Sequence, residues 1–282
     1  MKKIIGCLLF ILLSNCKNYG ELKLQYNLPK KLAEVSGIEK INNSNLLWMH
    51  NDSGNKAVIY GVDSKGKIIR EIAINAKNND WEDMTSDEKG NLYIADFGNN
   101  DNTRKNLKIL KIKHQDLVEK EAVDVDKIKF SYASQTKFPP KKKHRFFDAE
   151  SLLYNDGFLY FFTKSRVKNN YGKTTLYKIP AQKGTHIAQR ISSFETCNDL
   201  SCSITASAIA PNGKKVALLN HQSVFIFSDF KKDDFFSGKI QEFPLGFVSQ
   251  KESITFKDHN TLYIADEKAH GKGGKLYEFS LK

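Results

Sequence analysis

Three glutamates of this 282-residue chain recur in one local setting, each followed by a small or acidic residue and then an apolar one: Glu82, Glu150 and Glu252. Carboxylates gathered around one axis repel each other unless a cation, a proton or basic groups compensate them. Oxygen ligands suit a hard divalent cation such as Ca²⁺, so these three are candidate metal ligands. Glu82 and Glu150 are also candidates for a proton-sharing catalytic pair. The structural alternative is that each carboxylate bonds the backbone of a neighbouring repeat and holds the repeats together.

A second set of polar residues recurs four positions after the start of a later apolar segment: Asn51, Asp96, Thr163, Asn220 and Asp266. Candidate ligand-binding residues come from this set and its neighbours: Asn51, Asp52, Asp96, Asn99, Lys164, Arg166, Asn220 and Asp266. Lys164 and Arg166 either meet an anionic substrate or neutralise the glutamates. His50 and His221 are candidate catalytic bases, because a histidine beside a carboxylate can activate a water or hydroxyl. The alternative for both is an ordinary polar role.

The elements that would position these residues form five repeats, each an apolar strand, a short polar turn and a second apolar strand. The repeats start at Ser36, Glu82, Glu150, Ser207 and Glu252. They lie about 45 to 70 residues apart, which is the length of a four-stranded antiparallel propeller blade with variable loops. The sequence therefore predicts an all-β fold, a β-propeller of five blades, with a degenerate sixth blade within residues 100–147 as the alternative.

The last repeat is one strand short, while residues 21–26 form a strand pattern with no partner of their own. We expect this N-terminal strand to complete the final blade and close the ring, which removes exposed sheet edges. The first and second strands of such a blade run antiparallel. The start of the first strand and the end of the second strand therefore lie at the same face. Both polar sets should then meet at one mouth of the central channel.

Residues 1–16 have a short basic start and an apolar run, typical of an export signal, and we assign residues 17–282 to a single β-propeller domain. The segment ends in a lipobox-like sequence with Cys16 as the acylated residue; ordinary cleavage or a retained anchor is the alternative. The mature chain is expected outside the cytoplasm, lipid-anchored to the bacterial envelope on the periplasmic side or at the cell surface.

Cys197 and Cys202 are predicted to pair as a disulfide in an oxidising compartment, because a rival metal site lacks further ligands nearby. The net charge is +12, with one dense basic run at residues 141–145. That run is either a solvated loop or a contact for phosphate or an anionic surface. Export argues against nucleic acid as a partner, and we expect a monomer whose membrane contact is the lipid anchor.

Residues 35–38, 50–54, 80–83, 96–100 and 148–152 resemble a group of uncharacterised bacterial secreted propellers and, more distantly, regucalcin-like lactonases, NHL-repeat proteins and β-propeller phytases. The lactonase and phytase resemblance implies a divalent cation at the channel mouth, held in part by Glu or Asp of inner strands. No specific activity follows from a fold. Two functions stay open: an envelope lipoprotein that binds a small molecule, glycan or envelope protein at the channel mouth, and a metal-dependent hydrolase of a lactone, ester or phosphoester.

Overall fold

The computed structural model describes residues 19–42, 44–269 and 271–281. The predicted export segment 1–16, with the lipidation candidate Cys16, lies outside these residues. The described chain is all-β apart from one short α-helix, α1 (His114–Glu119), and a few single 3₁₀ turns. The predicted all-β class is thereby confirmed. Among the described residues, no helix has the length and apolar character needed to cross a membrane.

The strands group into five antiparallel units of four, which follow one another along the chain. The first unit is β2 (Val35–Glu39), β3 (Leu47–Asn51), β4 (Val58–Val62) and β5 (Ile68–Ile74). The second is β6 (Trp81–Ser86), β7 (Leu92–Asp96), β8 (Lys108–Ile112) and β10 (Asp126–Tyr132). The third is β11 (Asp148–Asn155), β12 (Phe158–Lys164), β13 (Lys173–Pro180) and β14 (Gly184–Glu195). The fourth is β15 (Ala206–Ile209), β16 (Lys215–Leu219), β17 (Ser223–Ser228) and β18 (Lys239–Pro244).

The fifth unit combines both ends of the described chain. It contains β19 (Lys251–Asp258), β20 (Thr261–Asp266), β21 (Lys275–Ser280) and, as its outer strand, β1 (Lys23–Asn27). Strand β1 pairs antiparallel with β21, from Lys23 opposite Glu278 to Asn27 opposite Lys275. Two parallel pairings lie at the outer edges of the units: β5 with β9 (Ala122–Val123), and β10 with β14.

The first strands of the units lie side by side. Strand β2 contacts β6, β6 contacts β11, β11 contacts β15, β15 contacts β19, and β19 in turn contacts β2. The N–H and C=O groups on their free edges therefore face a common central space, which we call the channel. The ends at which these strands begin define one face of the molecule.

The core consists of five apolar clusters, each shared by two neighbouring units. The cluster between the second and third units, for example, stacks Phe161 on Tyr177 at a centroid distance of 5.7 Å and packs Phe130 against Phe161 at 4.7 Å. Each sheet thus buries both faces, and this explains strands such as β7, in which every residue is buried. Burial on both faces holds the first strands, and the side chains they carry, in fixed positions.

Candidate functional site

The glutamates of the first strands are placed by β-bulges. In β11, Ala149 pairs with Thr163 and Ser151 pairs with Phe162, so Glu150 is an extra residue without a partner on β12. The ladder slips in the same way at Ser36 and Glu252, and at residues 82–83. A bulge bends its strand and re-aims the extra side chain. The bulges therefore turn these side chains toward the face at which the first strands begin.

The fourth unit departs from this pattern. Strand β15 has an unbroken ladder in which Ser207 pairs with Leu218, the position that Leu152 takes opposite Phe161 in β11. Assigning Ser207 to the glutamate column was therefore wrong by two residues, since Ser207 corresponds to Leu152 and not to Glu150. The reason is that a bulge inserts a residue, and the fourth unit, having none, offers no counterpart of the glutamates.

Three carboxylates meet at this face to form what we call the acidic cluster: Asp52, just after β3, Asp80, just before β6, and Glu82 in β6. One oxygen of each lies within 4.8 Å of the others. Glu82 is 7% exposed. Within the described part of the chain, its carboxylate forms no hydrogen bond and no ion pair. The cluster therefore lacks any basic group in direct contact with its most buried member.

Gly98, which follows β7, provides the space for these side chains. A Cβ built at this position would collide with Oε1 of Glu82 and Oδ2 of Asp80. The Gly98 N–H also donates to the carbonyl of Asp80 at 3.2 Å. The absence of a side chain thus allows two carboxylates to approach the backbone closely.

Burial and mutual repulsion disfavour the charged forms of the acidic cluster. Burial raises the pKa of Asp52 to about 7, and the charges of Asp80 and Glu150 add to the effect. Burial, followed by repulsion from Glu150 and Asp52, raises the pKa of Glu82 well above its ordinary range. Burial also raises the pKa of Asp80, although Arg104 acts in the opposite direction. A proton or a cation is therefore required for all three to coexist.

Glu150 has the basic partners that Glu82 lacks. Its carboxylate accepts from Lys164 Nζ at 3.2 Å and from Arg166 Nη2 at 3.0 Å, while Arg166 Nε donates to Asp148 at 2.5 Å. Burial acts to raise the pKa of Glu150, but Lys164 and Arg166 hold it below its usual value. The structure therefore uses Lys164 and Arg166 to neutralise the third unit's acids.

Glu252 is paired with a histidine. The Nε2 atom of His221 lies 3.0 Å from Oε1 of Glu252, and their side chains are 22% and 15% exposed. Glu267, just after β20, belongs to the same face; burial and the charges of Glu252 and Asp52 raise its pKa to about 8. His221 is thus the candidate base that lies beside a carboxylate and in contact with solvent.

His50, the other candidate base, lies in the interior. It is fully buried, its Nδ1 is 3.1 Å from the carbonyl of Asn51, and its ring packs edge-on against Trp81. Burial lowers its pKa to about 4, so it is neutral at physiological pH. The structure therefore does not bring His50 to the open part of the face at which the first strands begin, which we call the acidic face.

The second polar set is buried and bonds mainly to nearby backbone. Asn51 donates to the Lys31 carbonyl at 2.7 Å, and Asn220 accepts from the Ser223 N–H at 2.6 Å. Thr163 likewise accepts from the Thr175 N–H, and Asp266 accepts from the Lys275 N–H and the Tyr277 hydroxyl. Asp96 differs, because its carboxylate forms ion pairs with Arg104 and Lys108. Asn99, beside Gly98, donates its N–H to Asp148 at 2.7 Å. These residues hold the loops of the acidic face in place.

A disulfide joins Cys197 and Cys202 in the segment between β14 and β15. Four residues of the face escaped the candidates drawn from the sequence: Asp80, Gly98, Arg104 and Glu267. Asp80 lies directly before β6 and belongs to the segment 80–83 that carries the family resemblance, which was the signal for it in the sequence. The pairing of Arg104 with Asp96 depends on the loop between β7 and β8, for which no periodic pattern exists.

No protein-family model matches the chain, and no curated protein matches it. Among solved structures it is similar to virginiamycin B lyase from Staphylococcus aureus, with 17% identity over 91% of this chain and 69% of that one and a TM-score of 0.43. A catalytically inactive variant of that lyase with quinupristin gives 16% identity, the same coverages and a TM-score of 0.44. Hydrazine synthase from Kuenenia stuttgartiensis gives 11% identity over 83% of this chain and 74% of that one, with a TM-score of 0.43.

Proposed function

We propose that this protein is an envelope-associated β-propeller that binds a divalent cation such as Ca²⁺ through Asp52, Asp80 and Glu82 and holds a ligand at that mouth of its channel. The observation that carries the proposal is the convergence of three carboxylates that have no directly bound basic partner among the described residues. The ligand classes we consider are a small molecule, a glycan and an envelope protein.

The distribution of counter-charges supports a cation at the acidic cluster in particular. Glu150 has Lys164 and Arg166, and Glu252 has His221, whereas the largest charge effects of described residues on the buried Glu82 are all repulsive. An unpaired buried carboxylate costs several kcal/mol, on the order of the cost of breaking a buried ion pair. Ca²⁺ takes six to eight oxygen ligands, so three carboxylates would leave positions for water or for an oxygen of the ligand.

The fold we propose is a five-bladed propeller in which β1 completes the last blade. Five units of four strands, with their first strands in sequential contact, support this count, and the β1–β21 pairing supports closure by the N-terminal strand. We further propose export by residues 1–16, lipid attachment at Cys16 and a monomeric protein on the envelope. The basis for these last three is the sequence.

The His221–Glu252 pair favours a second candidate, a metal-dependent hydrolase of a lactone, ester or phosphoester. A carboxylate that orients a histidine at 3.0 Å is the arrangement of a general base, and a bound cation would lower the pKa of a coordinated water. Assaying such substrates with added Ca²⁺, Mg²⁺ and Mn²⁺ tests this candidate. Turnover that is lost in His221→Ala supports it, and no turnover of any of the three classes argues against it.

Thermal unfolding in chelator, followed by Ca²⁺ titration, tests cation binding directly. A cation that binds only the folded state stabilises it by about 2.7 kcal/mol at a hundredfold excess over Kd. We expect the wild-type melting temperature to rise with Ca²⁺ and that of Glu82→Gln to stay constant. Glu119→Gln, on the exposed side of α1, is the matched control and should respond like the wild type. A wild-type melting temperature that does not change with Ca²⁺ would contradict the cation site. Protonation would then be what relieves the repulsion between the three carboxylates.

A further inference from the structure

The basic run singled out in the sequence lines a cavity that is separate from the acidic cluster. The loop between β10 and β11 lines a cavity of about 490 Å³ that is open to solvent and within the range of small-molecule sites. Its lining includes three lysines, a histidine and two aromatic rings: Lys137, Lys141, Lys143, His144, Phe146 and Phe147. We call it the lysine cavity.

The lysine cavity has charge of one sign only. No Asp or Glu of the described ranges lines it. Lys137, Lys141 and Lys143 form no ion pair with any described residue, and all three are exposed. By contrast, the nearby Arg166 is paired with Asp148 and Glu150. Three ammonium groups without acidic partners create a local positive field that attracts anions.

The floor of the cavity is apolar and held in place. Phe147 is buried and Phe146 half-buried, and the Phe147 N–H donates to Asn102 Oδ1 at 3.0 Å. The buried Gln135 side chain donates to the Asn102 carbonyl at 2.9 Å. These bonds tie both ends of the loop to the segment after Gly98, so the cavity exists before any ligand binds and little ordering is required on binding.

The loop also adjoins the acidic face. It leads directly into Asp148 at the start of β11, and the Arg145 carbonyl accepts from the Arg166 N–H at 3.0 Å. One ligand could therefore extend from the cavity toward the acidic cluster, where a bound cation would cancel the repulsion between the carboxylates and an anion.

We propose that the lysine cavity is a binding site for an organic phosphate, with the phosphate held by Lys137, Lys141 and Lys143 and an apolar or ring portion against Phe146. This site goes beyond the cation site and does not depend on it. The phosphate comes either from a soluble phosphomonoester or from the headgroup of an anionic lipid, which presents the same chemistry.

Calorimetric titration of the full chain with phenyl phosphate and with inorganic phosphate tests the site. We expect phenyl phosphate to bind more tightly than phosphate, because its ring adds apolar contact. The triple variant K137Q/K141Q/K143Q should bind phenyl phosphate about tenfold more weakly or worse, equivalent to roughly 1.4 kcal/mol. The control K127Q/K129Q/K214Q removes the same charge from exposed positions outside the cavity and should bind like the wild type.

Co-sedimentation with vesicles of phosphatidylglycerol in phosphatidylcholine distinguishes the two sources. Capture by these vesicles that is lost in K137Q/K141Q/K143Q and kept in the control identifies a lipid headgroup, whereas lysine-dependent binding of phenyl phosphate alone identifies a soluble ligand. The proposal is overturned if neither probe binds, or if both triple variants lose binding equally. In the presence of chelator, the Glu82→Gln variant should bind phenyl phosphate like the wild type. Failure of the proposed cation site would therefore leave the result for the lysine cavity unaffected.

Discussion

At the residue scale, the acids of the channel mouth differ in their partners more than in their type. Glu82, Glu150 and Glu252 occupy bulges of their strands, yet only Glu82 faces other carboxylates without a basic group in contact. The side chain that bonds the backbone of other units is that of the next residue, Asp83. The chemistry of the face is thus decided by contacts between units.

Gly98→Ala tests whether the space beside the acidic cluster is needed. The added methyl group would meet Glu82 and Asp80 and force their carboxylates apart, so we expect Ca²⁺ to stabilise this variant less than the wild type. Gly61→Ala is the matched control, because its Cβ would meet Leu46 and Arg70 instead. That control should lower the melting temperature but keep the full Ca²⁺-induced rise. Equal Ca²⁺ responses of Gly98→Ala and wild type would show that the cluster is not the binding site.

Glu267 gives stability a pH dependence with a defined sign. Its pKa is raised from 4.5 to about 8 in the folded protein, mainly by burial, so the folded state binds the proton more tightly than the unfolded state. Its contribution is fully present below about pH 4.5 and is lost as the pH rises through about 8. In chelator, the melting temperature of Glu267→Gln should therefore fall less over this interval than that of the wild type. The exposed Glu121→Gln should follow the wild type, and parallel curves for all three proteins would contradict the assignment.

At the scale of elements, the first strands are joined across the channel by one carboxylate. Asp83 is fully buried and accepts from the N–H groups of Met84 and Leu152 at 2.8 Å and of Ser207 at 3.3 Å, linking β6, β11 and β15. Hydroxyl groups make similar links, since Thr85 accepts from the Tyr154 N–H and Thr205 donates to the Lys251 carbonyl. The sequence-based idea of a carboxylate that bonds neighbouring repeats therefore applies to the residue after Glu82.

Asp83→Ala should destabilise the protein by about 3 kcal/mol, because buried N–H groups lose their acceptor at roughly 1–3 kcal/mol each. Chemical denaturation measures this change. Asp229→Ala is the control, since Asp229 pairs with Lys239 on the surface, and it should leave the free energy of unfolding nearly unchanged. The Ca²⁺-induced stabilisation should persist in Asp83→Ala wherever that variant folds. A variant as stable as the wild type would show that water replaces the carboxylate at no cost.

At the scale of the whole molecule, the last unit depends on the first strand of the chain. Strand β1 covers the edge of β21, and the Leu28 N–H donates to the Gly274 carbonyl at 2.8 Å. Without β1, the free N–H and C=O groups of β21 would form an exposed edge, which favours association between molecules.

Deleting residues 19–28 should lower the melting temperature and produce oligomers, measured by size-exclusion chromatography with light scattering. A synthetic peptide of residues 19–28, added in trans, should restore the monomer because it can pair with β21. A peptide of the same composition in scrambled order is the control. A monomeric deletion variant with the wild-type melting temperature would show that β1 contributes little to the integrity of the fold.

The sequence by itself determined the all-β class, the recurrence of paired strands and the N-terminal strand that pairs with β21. These features are local, because apolar runs indicate buried strands and Gly, Asn and Asp indicate the turns between them. It also singled out Glu82, Glu150 and Glu252, which the bulges place at one face. What it could not provide is the extra residue of each bulge, and for that reason Ser207 was misaligned.

Only the tertiary structure decided which carboxylates have partners. Lys164 and Arg166 neutralise Glu150, His50 is enclosed in the interior, and Glu82 meets Asp52 and Asp80. Asp52 and Glu82 are thirty residues apart and belong to different units. The energy of an ion pair depends on the distance between its charges, which is set by how neighbouring sheets pack. The sequence pattern contains no information on that distance.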